Sequence, residues 1–390
     1  MPQNEHTLYI FRKMRIGFEA KRAFLNFTGL GNYARSVIQI LANHYPANQY
    51  FIYSPKLKKN NRTDFLYHLS NGTIRTSPFK LFKSYWRSKG IISQLVKDKV
   101  ELFHGLSHEI PIGLNKKGIK SVVTIHDLIY IRFPHFFKPI DRFIYGIKFR
   151  SACENSDRII AISQQTKNDI VDFFGIDERK IDVVYQGCDP IFNLPISAAG
   201  LAQVRLNYQL PTNYLLCVGT LENRKNQLVI LKALVHLPEH IHLVLVGKST
   251  PYEHVLRDFI LANQLEDRVS IVSNVDFKDL PAIYQQAEMF VYPSLFEGFG
   301  IPILEALTSG IPVIAAKGSC LEEAGGPHSL YFQPHDEIEL TASIAQILAD
   351  KSLKNEMIKN GNEFALKFSD ENIAKNLQEV YHKTIQDSNL

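Results

Sequence analysis

Tyr214-Leu215-Leu216-Cys217-Val218-Gly219-Thr220-Leu221-Glu222-Asn223-Arg224-Lys225-Asn226 decides the fold class, because it runs from an apolar strand through a glycine turn into a helix. Tyr214 to Val218 is continuously apolar, as a strand covered on both faces has to be. After the turn, Leu228, Leu231, Ala233, Leu234 and Leu237 recur at helical spacing. Arg224 and Lys225 therefore stand where a strand hands over to a helix N-terminus, and two cations converge with the positive end of a helix dipole. A leaving diphosphate, which gains negative charge as its bond breaks, would be held there. The bland alternative is a solvated Arg-Lys turn.

The same alternation runs outward in both directions. Strands are predicted near 14–19, 50–53, 101–104, 121–125, 157–162 and 181–184, then from about 213 and at 241–246, 269–272, 288–292 and 312–315, with helical stretches between. This pattern predicts an α/β protein with two doubly wound parallel sheets. A chain of 390 residues exceeds what one core usually serves, and Pro190, Pro195, Gly200 and Pro211 interrupt the periodicity between the two series. The expected division is 1–195, 196–370 and a last helix within 371–390, where Ile373, Leu377, Val380, Tyr381 and Ile385 share a face.

Beyond the strand at 288–292 comes Glu297-Gly298-Phe299-Gly300-Ile301-Pro302-Ile303-Leu304-Glu305-Ala306. Pro302 suits the first position of a helix and Gly310 the stop after Ser309, so a short helix is predicted from Pro302 to Ser309. Gly298 and Gly300 leave the backbone before it unobstructed, so that free N–H groups can face an anion. Glu297 and Glu305 are eight positions apart, an ideal helical rise of roughly 12 Å, which argues against the close pairing of a glycosidase. Each carboxylate is better suited to its own hydroxyls, one set on a sugar and one on a ribose.

Two further junctions carry candidate residues. Gly29 and Gly31 predict a tight turn opening a helix with Tyr33, Val37, Ile40 and Leu41 on one face. Ser121-Val122-Val123-Thr124-Ile125 ends in His126-Asp127, at the carboxyl end of a strand, where open parallel sheets bind ligands. Asp127 either caps the next segment or orients His126.

Taken in order, these segments resemble the family 4 retaining glycosyltransferases with the GT-B fold. Glu297 to Glu305 is similar to that family's Glu-x7-Glu motif, Gly219 to Asn226 to its basic donor-phosphate motif, and Gly29 to Ala34 to its N-terminal glycine loop. The three lie in family order, and the resemblance spans about residues 14–385. Thr220 departs from the pattern, since many members carry an arginine directly after the strand glycine. The resemblance implies two Rossmann-like domains facing a cleft, with the C-terminal helix crossing back onto the first. It also implies a hexosyltransferase using a nucleotide-diphosphate sugar, acting without metal or cofactor on a glycan or lipid-linked acceptor in surface polysaccharide or glycoconjugate synthesis.

The Gly-Thr-Leu-Glu-x-Arg-Lys-Asn wording resembles mannosyltransferase-like members, which implies GDP-mannose as first donor and a UDP-sugar as second. By the same resemblance His126 and Glu297 touch the transferred sugar. Gly29, Gly31, Arg224, Lys225, Gly298, Phe299, Gly300, Ile301 and Glu305 hold the donor, and Asp127 lies on the acceptor side. Two rivals are a nucleotide-sugar 2-epimerase of the same fold and a catalytically silent nucleotide-sugar-binding scaffold.

A net charge of +5 from 44 basic and 39 acidic residues is too mild to imply nucleic acid. Lys80, Lys83, Arg87 and Lys89 interleave with Phe79, Phe82, Tyr85 and Trp86, and Arg132, Lys138 and Arg142 with Phe133, Phe136, Phe137 and Phe143. Such mixtures can rest on an anionic membrane surface, or be a solvated face over core aromatics. Cys153, Cys188, Cys217 and Cys320 are scattered singly, which fits a reducing cytoplasm. The first 13 residues lack the apolar core of a signal peptide, and no apolar run approaches membrane-spanning length. The expected location is therefore cytoplasmic, with at most peripheral contact at the inner face of the membrane. His104, His108 and Glu109 match no ligand spacing, and no metal site is assigned.

Overall fold

In the computed structural model, which describes residues 12–79 and 81–386, seven strands form a parallel sheet: β1 (Arg15–Glu19), β2 (Gln49–Ser54), β3 (Gly72–Thr76), β4 (Leu102–Gly105), β5 (Lys120–Ile125), β6 (Arg158–Ala161) and β7 (Ile181–Val183). Their order is β3-β2-β1-β4-β5-β6-β7. A second parallel sheet, ordered β10-β9-β8-β11-β12-β13, contains β8 (Tyr214–Val218), β9 (His242–Val246), β10 (Val269–Val272), β11 (Met289–Tyr292), β12 (Val313–Ala316) and β13 (Leu330–Phe332). Lys80, counted in the first basic and aromatic segment, lies outside the described residues.

The central strands are buried on both faces: Leu215, Leu216, Leu243, Val244 and Leu245 have no exposed surface. That is why they read as unbroken apolar runs. The two strands that the apolar pattern did not predict, β3 and β13, are both sheet edges. Gly72-Thr73-Ile74-Arg75-Thr76 carries one large apolar side chain, and β13 has only three residues. Edge strands tend to be short and polar because one side faces no partner, and these two carry too little apolar pattern to show, whereas the other two edges, β7 and β10, carry enough to be predicted.

Strand order places the functional region. Each sheet reverses its winding once, between β1 and β4 in the first and between β8 and β11 in the second. Ligands of open α/β sheets bind beyond the carboxyl ends at such switch points. The helix Gly29–His44 follows β1, His126 follows β5, Arg224 and Lys225 follow β8, and Glu297 follows β11.

The last helix, Asp370–Gln386, packs on the helix Gly29–His44 and on β5, so it rests on the first lobe. A buried hydrogen-bond chain fastens it there. Tyr381 and His104 Nδ1 are 2.7 Å apart, His104 Nε2 and Thr124 Oγ1 2.8 Å, and Thr124 Oγ1 and the Tyr33 hydroxyl 2.9 Å. Burial pushes the His104 pKa down to about 3, so the ring is neutral and can accept at one nitrogen while donating at the other. Removing the Tyr381 hydroxyl leaves a buried imidazole nitrogen without a partner. Tyr381→Phe is expected to lower the unfolding free energy by about 1–3 kcal/mol, read as a lower urea midpoint for the first lobe.

Candidate functional site

Arg224 and Lys225 occupy one 3-10 turn, Asn223–Lys225, directly after β8. Asn226, at φ 55°, turns the chain into the helix Gln227–Val235, and its side chain donates to the Pro293 carbonyl at 3.2 Å. The loop after β8 is thereby tied to the loop after β11. Across that junction Lys225 Nζ lies 2.6 Å from Glu297 Oε1 and donates to the Tyr292 hydroxyl at 2.7 Å. Arg224 Nη1 is 2.9 Å from the same Glu297 oxygen and 2.6 Å from the Phe296 carbonyl, while Nη2 is 2.6 Å from Glu222 Oε1. Ser294 Oγ adds a third donor to Glu297 Oε1 at 2.5 Å.

Burial alone would push the Glu297 pKa up, but Lys225 and Arg224 outweigh it and hold the carboxyl at about 2. The group is therefore ionised at any ordinary pH. Sequence reading gave the cations to a diphosphate and Glu297 to a sugar as separate tasks. Folding joins them into one cluster, so any diphosphate bound there has to share Lys225 and Arg224 with Glu297.

The short helix spans Ile301–Thr308, one residue ahead of the predicted range at each end. Gly300 precedes it at φ 152°, a backbone state that side chains strongly disfavour. Among the described residues no hydrogen bond engages the N–H groups of Gly298, Phe299, Gly300 or Ile301. The Phe299 side chain points away into packing against Tyr185 and Phe368, with ring centroids at 5.4 and 5.5 Å. Only its main chain is left for a ligand.

At Gly298 the second lobe touches the first. A Cβ there would meet the His126 carbonyl oxygen at 2.2 Å, so this contact between β5 and β11 termini requires glycine. His126 itself is buried, with Nε2 2.9 Å from the Leu106 carbonyl and its ring edge-on to Tyr33 at 4.6 Å. Burial pushes its pKa to about 4, so the imidazole is neutral and donates from Nε2. Asp127 caps the following segment: its carboxylate accepts the Ile129 N–H at 3.1 Å. Burial raises its pKa.

Glu305 lies one turn from the end of the short helix and accepts the Tyr284 hydroxyl at 2.8 Å. Burial dominates here and pushes its pKa up to about 7, against the lowering effect of Tyr284 and with a further upward push from Asp189. Gly29 stands in open space, whereas Gly31 is fully constrained. A Cβ on Gly31 would lie 1.8 Å from the Asn26 carbonyl, and its N–H already donates to the Thr28 carbonyl at 3.0 Å. Arg35, which the sequence did not single out, donates to the carbonyls of Ala23 and Asn26 at 2.8 Å each and holds that loop.

The basic and aromatic segments divide. Trp86 is core, Arg87 pairs with Glu19 at 2.9 Å and Glu109 at 3.1 Å, and Phe133 packs on Phe296 of the other lobe at 5.4 Å. Phe79, Leu81, Phe82, Tyr85, Ile140, Phe143 and Ile147 remain exposed. His104, His108 and Glu109 diverge, His104 to Tyr381 and Thr124, His108 onto Phe149, and Glu109 to Arg87 and Lys148.

Residues 28–191 match the family model described as Glycosyltransferase Family 4, and residues 203–364 that of Glycosyl transferases group 1. The chain is similar to O-antigen chain mannosyltransferase B of Escherichia coli, at 31% identity over 277 residues that cover 70% of this chain and 71% of that one. This chain belongs to the group 1 and family 4 glycosyltransferases. Among solved structures it resembles sucrose-phosphate synthase from Thermosynechococcus elongatus (TM-score 0.76, 21% identity, 96% of this chain and 100% of the other). It also resembles Anabaena HepE in complex with UDP and glucose (TM-score 0.73, 19% identity, 95% and 100%). The glycosyltransferase thus has the GT-B fold, and no described helix is long and apolar enough to cross a membrane.

Glu305 gives the glycosyltransferase a pH signature. Its folded pKa of about 7 exceeds the ordinary glutamate value of about 4.3, so the native state holds more protons across that window and stability falls as pH rises through it. In Glu305→Gln this decline disappears. Melting temperatures of both proteins from pH 4.5 to 8 are expected to coincide at the acid end, to diverge progressively up to about pH 7 and to stay apart above it, with the variant the more stable.

Proposed function

We propose that this glycosyltransferase is a retaining enzyme that moves mannose from GDP-mannose to a glycan or lipid-linked acceptor, without metal. The observation that carries the reading is the Lys225, Arg224 and Glu297 cluster at the mouth of the helix Ile301–Thr308. Lys225, Arg224 and the free N–H groups from Gly298 to Ile301 neutralise the departing diphosphate, a task that elsewhere falls to a metal ion. Glu305, once ionised, accepts ribose hydroxyls. Glu297 and His126 flank the transferred sugar.

In the transfer, the bond from the anomeric carbon to the diphosphate oxygen breaks, and a bond to the acceptor oxygen forms on the same face. The acceptor's hydroxyl proton passes to the leaving phosphate oxygen. Mannose is favoured because a relative at 31% identity is named an O-antigen chain mannosyltransferase. HepE, whose structure contains UDP and glucose, keeps a UDP-sugar as the second donor.

Thermal-shift screening of GDP, UDP and ADP tests the donor, since a ligand of the native state raises the melting temperature by mass action. GDP is expected to give the largest shift, and no response to any nucleotide would sink the reading. Glu297→Gln removes the anion that competes for Lys225 and Arg224. It is expected to bind GDP more tightly than the parent while transferring sugar about 100-fold or more slowly, the scale of a lost transition-state contact.

A lipid-linked acceptor also accounts for the exposed side chains of the first lobe. Arg87 and Lys148 both grip Glu109, at 3.1 and 3.2 Å, which sets the segment carrying Phe79, Leu81, Phe82 and Tyr85 beside the helix Pro139–Asn155 carrying Phe143 and Ile147. With Lys89, Lys138 and Arg142 around them, these side chains suit an anionic bilayer surface. The protein is expected to sediment with phosphatidylglycerol vesicles and not with phosphatidylcholine, and the Phe82→Glu/Phe143→Glu double variant to stay in the supernatant.

A further inference from the structure

The helix Gln164–Phe174 of the first lobe begins with main-chain N–H groups that its own segment satisfies only in part. Ser163 Oγ accepts the Thr166 N–H at 3.0 Å. The two N–H groups before it are taken up from the other lobe: Glu323 Oε2 accepts that of Gln164 at 2.6 Å and Glu323 Oε1 that of Gln165 at 3.0 Å. A carboxylate at the positive end of a helix makes charge-assisted bonds, and both of its oxygens are used here. Among the described residues Glu323 is the one charged side chain of residues 196–365 that hydrogen-bonds to residues 12–184.

Glu323 stands on a short helix, Leu321–Gly325, that follows β12 and is bonded to the loop carrying Glu297. The Cys320 thiol, just ahead of this helix, donates to the Phe299 carbonyl at 2.8 Å and lies 3.1 Å from the Glu297 carbonyl. Gly300 packs so near Ala324 that a Cβ there would come within 3.0 Å of the alanine methyl. Glu322, next in the chain, faces the Gly318 N–H of its own loop at 3.4 Å, whereas Glu323 is turned outward across the seam. The helix and the loop 297–300 are therefore one packed unit, and what holds Glu323 holds the loop.

On the first lobe the same helix start abuts His126. Thr166 Oγ1 lies 3.3 Å from the His126 carbonyl oxygen and 3.5 Å from that of Gly298, the glycine that already leaves no room for a Cβ against His126. Tyr185 flanks the contact, its ring stacked on Phe299 at 5.4 Å, and burial first, with Glu323 adding, pushes its hydroxyl up to about 12. Gln164 is exposed and Gln165 half-buried, so water can replace Glu323 at both N–H groups. The bond between the lobes is thus specific in geometry and open to exchange.

We propose that Glu323 is a positioning residue: by completing the start of a first-lobe helix from the second lobe, it fixes the loop 297–300 in register with His126. The assignment rests on the transferase reading above and adds to it a side chain that acts through other groups and not on the sugar itself. Its effect falls on turnover, since a displacement of about 1 Å between reacting groups can slow a reaction about 100-fold. Donor affinity, in the same reading, is set by Lys225, Arg224 and the free N–H groups of the second lobe, none of which Glu323 holds directly.

Amide hydrogen exchange on the full-length protein, resolved to single residues, tests the contact, and release of GDP from GDP-mannose with water as acceptor tests its use. In Glu323→Ala the amides of Gln164 and Gln165 are expected to exchange about tenfold or more faster, while that of Thr166, capped by Ser163, keeps the parent rate. The kcat for GDP release is expected to fall about tenfold or more with the GDP dissociation constant within about twofold of the parent, a split that a damaged fold or donor site does not produce. Glu323→Gln, which keeps one acceptor oxygen, is expected to lie between the parent and the alanine variant in both readouts. Unchanged exchange at Gln164 and Gln165, an unchanged kcat in Glu323→Ala, or a loss of GDP affinity as large as the loss of kcat would each overturn the assignment. If no nucleotide shifts the parent's melting temperature, the transferase reading falls instead, and the exchange rates still decide whether Glu323 joins the two lobes.

Discussion

One carboxylate, Glu297, held by Lys225 and Arg224 from the neighbouring loop, is the contact on which the second lobe's half of the cleft depends. Taking a carboxylate out of water is unfavourable by several kcal/mol, and only close cations make the ionised form persist. Here two cations and a serine hydroxyl converge on a single oxygen. The loops after β8 and β11 consequently behave as one unit. Asn226, bonded to the Pro293 carbonyl, reinforces the same junction through neutral groups.

The two carboxylates of the Glu-x7-Glu segment have opposite electrostatics, although both sit in the second lobe. Glu297 is ionised because cations surround it, whereas Glu305 is poised near neutrality because burial and a single tyrosine hydroxyl are nearly all it has. Environment, not residue type, separates them. The first lobe supplies a third environment, in which His104, His108 and His126 are all driven neutral by burial.

Contact between the lobes is equally specific. Gly298 admits the His126 carbonyl, and the helix Asp370–Gln386 returns across the seam to fasten on His104 through Tyr381. The hydrogen-bond chain from Tyr381 through His104 and Thr124 to Tyr33 ends beside His126, whose ring Tyr33 meets edge-on. The crossover helix and the cleft beside His126 are thus parts of one packed network.

The sequence by itself determined the α/β class, the central strands and the positions of Arg224, Lys225, Glu297 and His126 at strand ends. Buried parallel strands need unbroken apolar runs and their turns need glycine, both visible in a one-dimensional string. The edge strands β3 and β13 were not legible because the first carries a single large apolar side chain and the second is only three residues long. Only tertiary structure decided that Glu297 binds the same cations that the sequence reading assigned to a diphosphate, that Gly31 is dictated by the Asn26 carbonyl, and that Ser107, His108 and Tyr130 share a cavity. Those facts depend on side chains brought together from different strands by the winding of the sheets, and spacing along the chain carries no record of distances across it.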